Sequence, residues 1–203
     1  SERIESAAIG AAGAHSEVWK KSEAGAARAT PADAVALLRH RSPVVRGYMA
    51  QHVADHRPDD LPSVYPLLAD DTEVETVSGC TIAKETVAEV VVQALCNRAA
   101  AESSAARVLL RAAADPGLGP LRGRALGCVA AHEPAKAELV ARTMLDEGDR
   151  TLLRDAVMVL GMVGARDVAA RIAALAADPE PRIRASVATA LSRLDAPDAA
   201  AVL

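Results

Sequence analysis

His52 and His56 stand four residues apart, with Asp55 between them. On a helix that spacing puts both imidazoles on one face, which is how many zinc sites begin. A catalytic zinc needs three protein ligands and a closed site four. Neither a third ligand nor an HExxH pattern accompanies the pair, so no metal is expected. Cys80, Cys96 and Cys128 are odd in number and too widely spaced for metal-binding pairs or a disulfide framework. Cys80 lies among carboxylates, which raise a thiol's pKa and blunt it as a nucleophile. Cys96 and Cys128 sit in apolar helical stretches and read as small core residues. No Ser-His-Asp arrangement, glycine-rich phosphate loop or catalytic pair of carboxylates is evident, so neither a catalytic residue nor a cofactor is expected.

The elements that carry these residues follow a repeating plan. In Arg166–Leu194, Val168, Ile172, Leu175 and Ala176 form one helical stripe. Asp178-Pro179 then stops the helix, because proline disfavours helical geometry at the residue before it. Pro181 opens a second helix, where its missing N–H costs nothing, and Ile183, Val187, Ala190, Leu191 and Leu194 share one side. The second-helix anchors Ile183 and Leu191 have counterparts in Val45/Val53, Val87/Leu95, Leu121/Val129 and Leu152/Leu160. The second anchors recur at 42, 34, 31 and 31 residues. These are the periods of stacked helical hairpins, each too thin to bury its own apolar face. The pattern predicts helices over 32–40, 43–56, 60–69, 84–97, 102–114, 120–131, 134–146, 150–163, 166–177 and 181–194, with almost no strand.

The long first period reflects about a dozen extra residues between Asp70 and Val87. This insertion, about 70–86, reads as an acidic loop with a flexible Ser78-Gly79-Cys80 centre. Around it Asp59, Asp60, Asp70, Asp71, Glu73, Glu75, Glu85 and Glu89 face Lys84 alone. Residues 1–30, rich in Ala, Gly and Ser, read as a cap or arm, with Ile4, Ala7, Ala8 and Ala11 along an amphipathic helix.

Val45-Arg46, Leu121-Arg122 and Asp178-Pro179-Glu180-Pro181-Arg182-Ile183-Arg184, with Ala-rich helices ending in pairs such as Leu160-Gly161, resemble HEAT repeats. They are most similar to the short bacterial type also found in phycobilisome lyases. Over 31–203 the resemblance implies an all-α fold, a right-handed α-α superhelix of about five hairpins. It also implies a ladder in which a corner Asp meets the Arg that begins a second helix. Arg46, Asp115, Arg122, Asp178 and Arg184 would be its members.

The chain is 51% hydrophobic but only 1% aromatic, with a net charge of −4. Its high Ala, Arg and Asp content points to a GC-rich bacterial genome. No apolar run reaches the length of a membrane span, no signal peptide is visible, and a reducing cytoplasm is the expected compartment. The residues three, six and ten places after each first anchor should point out of the core; Met158 and Met162 fall among these, one register step from burial. In the resemblance this layer lines a concave face. A non-catalytic scaffold that holds a protein or peptide there is the expected function. Tyr48, Gln51, Asp55, Glu89, Gln93 and Asn97 would make the contacts, and Asp70, Asp71, Glu73 and Glu75 a rim that favours a basic partner. Two other readings rest on resemblance. One is a lyase or chaperone-type subunit acting on a cofactor-bearing protein, with a pocket at Tyr48 and His52. The other is a HEAT-like DNA-binding or DNA-repair protein, using Arg107, Arg111, Arg122 and Arg124. Negative charge and the scarcity of aromatic rings count against nucleic acid.

Overall fold

The structure, a computed structural model, describes residues 3–10 and 13–194. The chain forms two compact units that meet in sequence between Val108 and Leu109.

The first unit departs from the all-helical expectation. It holds a four-stranded sheet in the order β2-β1-β3-β4, built from β1 (Arg3–Ile9), β2 (Ala14–His15), β3 (Glu73–Gly79) and β4 (Thr81–Thr86). Ile4, Ala7 and Ala8, expected along an amphipathic helix, therefore lie on a strand, and Ala11 lies outside the described residues. This strand, β1, pairs in parallel with β3, Arg3 opposite Glu75 and Ile4 opposite Thr76. The insertion is an antiparallel hairpin: Glu75 faces Lys84, Val77 faces Ile82, and Gly79-Cys80 turn the chain. Val74 and Val77 are buried, while Glu73 and Glu75 are exposed.

The helices of this unit are α1 (Glu17–Ala26), α2 (Pro31–Leu37), α3 (Pro43–His56) and α4 (Val87–Arg98). Ser16 caps α1, and Thr30 and Thr86 each close a capping box, on α2 and α4. The stretch expected as a helix over 60–69 is a run of 3-10 turns, Pro58–Ala69. Pro62 and Pro66 within it deny an α-helix two backbone donors. Its Leu61, Val64, Leu67 and Leu68 are nevertheless buried, as an amphipathic first helix requires. α3 packs on α2, on α4 and on this segment. β1 docks on α3: Ile4 is buried against Gly47, where any Cβ would collide with the Ile4 side chain. Ile4 and Ala26 thus belong to this unit's core.

The second unit is helical as expected, except that the helix expected over 166–177 is a 3-10 turn, Arg166–Val168, followed by a five-residue helix. α5 (Ser103–Ala114) crosses the boundary and leads to α6 (Leu121–Val129), α7 (Pro134–Glu147), α8 (Arg150–Val163), the short α9 (Ala169–Ala173) and α10 (Pro181–Arg193). The second helices α6, α8 and α10 lie in sequence against one another, with α7 beside α8 and α9 beside α10. Leu152, Leu160, Ile183 and Leu191 are buried, as are the residues midway between anchors, Met49, Val91, Ala125, Ala156 and Val187. α8 meets α10 so closely at Gly161 that an added Cβ would lie 2.6 Å from the Ala190 Cα. Met162 is 45% exposed and Met158 half-buried, so the outward register holds on α8.

The ladder exists with different rungs from those expected. Arg46 donates to Asp70 at 2.7 Å and to the His40 carbonyl at 2.8 Å. Arg122, buried, grips both Glu147 oxygens at 2.7 and 2.9 Å and the Ala113 carbonyl at 3.0 Å, and the Asp115 charge also acts on it. Asp178 receives Arg150 at 2.7 and 3.1 Å, while Arg184 donates to the carbonyls of Asp178 and Pro179. Each of these three rungs joins an Arg to an acid 24 to 28 residues later.

Candidate functional site

The seats of the expected contact residues divide them into two groups. Tyr48 is 9% exposed, and its hydroxyl accepts the Glu5 amide at 2.6 Å. It ties β1 to α3 and presents no surface to a partner. Glu89 closes the α4 capping box, accepting the Thr86 amide at 2.8 Å. Asp70 is bound to Arg46. Burial pushes its carboxyl up, but hydrogen bonds from Arg46 and Thr72 outweigh that and hold it below the usual range. These three are structural. Asp55, Gln93 and Asn97 are exposed on α3 and α4, Gln51 is half-buried beside them, and Gln93 donates to Asn97 at 2.9 Å. Asp71, Glu73 and Glu75 are exposed at the sheet, with Arg3 Nη1 3.7 Å from Glu75. At the outer strand of the same sheet, Ile82 is 64% exposed.

A second constellation lies between α1 and α3. The α3 face that holds His52 and His56 meets Glu23 of α1, a residue that sequence reasoning passed over. His52 Nδ1 is 3.5 Å and His56 Nε2 3.3 Å from Glu23 Oε2. The imidazole centroids stand 4.8 Å apart at 49°. His52 is 5% exposed, and its Nδ1 is buried without a hydrogen-bond partner. The three side chains line a cavity of about 560 Å³ together with Ala24, Ala27 and Arg57. Arg57 is held at its edge by the carbonyls of Thr30 and Ala29, at 3.2 and 3.3 Å. The pocket expected at Tyr48 and His52 is therefore formed without Tyr48. No local motif could have brought in Glu23. It joins the site only because α1 packs on α3.

The cysteines differ from their expected roles. Cys80 is an exposed free thiol at the hairpin turn. Cys96 and Cys128 are half-buried and disulfide-bonded, so they are not simple core residues. The inference of a reducing compartment from unpaired cysteines loses its premise. No described helix is long and apolar enough to cross a membrane.

Residues 137–203 match the family model for HEAT repeats. The matched segment begins inside α7 and takes in α8, α9 and α10, where the hairpins, the Gly161 contact and the Arg150–Asp178 rung are found. This stretch of the chain is HEAT-repeat in character. No curated protein and no solved structure matches the chain.

Proposed function

We propose that the protein is a non-catalytic binding module for a basic protein or peptide, in keeping with the interactions that HEAT repeats commonly mediate. The observation that carries this reading is the acidic insertion, a β-hairpin that leaves the carboxylates of Asp71, Glu73 and Glu75 exposed. Glu73 and Glu75 are exposed on β3, Asp71 precedes them, and exposed Ile82 on β4 offers apolar contact at an outer strand. An outer strand can receive an extended peptide through its backbone groups, and acidic neighbours select a basic one. Asp55, Gln93 and Asn97 extend the polar surface on the helices of the same unit.

The other two readings gain no support from the geometry. The cavity beside His52, where a lyase-type subunit was expected to hold a cofactor-bearing client, is lined without Tyr48, which is buried on Glu5. Arg122 is buried on Glu147 and so is withheld from phosphate.

The test is affinity capture from cell extract with the parent chain and with Asp71→Lys/Glu73→Lys/Glu75→Lys. Asp70 is left intact because it holds Arg46. A discrete set of basic proteins retained by the parent and lost with the triple variant is expected. A retained set unaffected by charge reversal, or none above a bait-free control, overturns the proposal.

A further inference from the structure

We infer that Glu23, His52 and His56 form a binding site for a divalent first-row metal ion, with zinc as its representative. The donor set is two imidazoles and one carboxylate, which suits zinc, iron(II), cobalt or nickel better than magnesium or calcium. The separations fit. Ligands about 2.0–2.1 Å from a tetrahedral ion lie roughly 3.3 Å from one another. The two Glu23–His separations, 3.5 and 3.3 Å, match this spacing; the three donor atoms together lie within 4.8 Å of one another, so one imidazole must swing inward to close on an ion.

A second observation points to a ligand. His52 Nδ1 is buried and makes no hydrogen bond; the nearest charged oxygen, Glu23 Oε2, stands 3.5 Å away. A buried polar atom left this way is costly, and a bound ion would relieve it. A cation between Nδ1 and Glu23 would satisfy both. Glu23 supplies negative charge to a site whose two other ligands are neutral when bound. The helices keep the three donors in place, since His52 and His56 share one face of α3 and α1 is capped and packed against it.

Three protein ligands leave a coordination position open. His56 is 55% exposed, so the open side is accessible through the cavity. The same donors without an ion would form a carboxylate bridging two imidazoles, a structural contact only. The experiment separates these cases.

Tag-free full-length protein carrying Cys80→Ser, which removes the free thiol as a competing ligand, is titrated with zinc chloride by calorimetry near neutral pH. Its melting temperature is read in parallel. His56→Ala and Glu23→Gln are made in the same background. Both residues are at least partly exposed, and circular dichroism checks that each variant folds. The expected result is one zinc ion per chain, a higher melting temperature with zinc, and binding weakened at least ~10-fold in each variant, since even outer-shell changes at metal sites cost about 10–100-fold. No saturable uptake by the parent chain, or uptake undiminished in both variants, overturns the inference.

Discussion

Tyr48 shows how one hydroxyl can fasten two distant parts of a chain. Its oxygen accepts the Glu5 amide at 2.6 Å in a buried setting. Tyr48→Phe keeps the ring but orphans that amide, and is expected to cost about 1–3 kcal/mol of stability by urea unfolding. A ring that served only as a partner contact would leave unfolding unchanged. Glu5 is itself buried, with Ser16 Oγ donating at 2.6 Å and Arg3 Nε at 2.7 Å. The hydrogen bond from Ser16, then that from Arg3, holds its carboxyl below the usual value. A depressed carboxyl stabilises the fold fully above its unfolded pKa, and that contribution is lost as pH falls through the folded value. The melting temperature should therefore drop below about pH 4, and Glu5→Gln should flatten that acid limb. At this scale little was legible in advance. Residue type marked Tyr48, Glu89 and Asp70 as polar contacts, but their roles depend on the Glu5 amide, the Thr86 cap and Arg46. The Glu23 partnership has no sequence signal, because only helix packing brings it to His52 and His56.

Individual elements were legible wherever the apolar period exceeded chance. α3, α7, α8 and α10 lie within a few residues of their expected spans, because stripes such as Leu152, Leu153, Ala156, Val157, Leu160 fit the helical period and break a strand's alternation. The strands were not legible. In β1, Ile-Glu-Ser-Ala-Ala-Ile places its apolar residues at spacings that also suit a helix, and its partner is far along the chain. In β3 the exposed Glu73 and Glu75 hid the alternation with Val74 by reading as loop charge. The Leu160-Gly161 pair, used only as a family mark, has a mechanical reason in the α8–α10 approach. Gly161→Ala has no room for its methyl against Ala190. It should cost about 1–3 kcal/mol through displaced helices. Differential hydrogen exchange would place the loosened amides on α8 and α10, and an unchanged pattern there would argue against that contact.

At the scale of the whole chain, two kinds of cohesion operate. In the second unit each helix leans on neighbours close in sequence, and rungs such as Arg122–Glu147 and Arg150–Asp178 join residues 25 and 28 apart. The hairpin repeat was readable for that reason: every copy reports the same local requirement. The first unit is joined by Arg3 opposite Glu75, with α1, α2 and α3 lying between them in the chain. A translating ribosome delivers β1 before β3, so the strand leaves the exit tunnel with no partner for its backbone groups. Until Gly79 has been made, the notch at Gly47 and the β1 edge have no completed sheet to receive them. The nascent chain must hold β1 in reserve while three helices form.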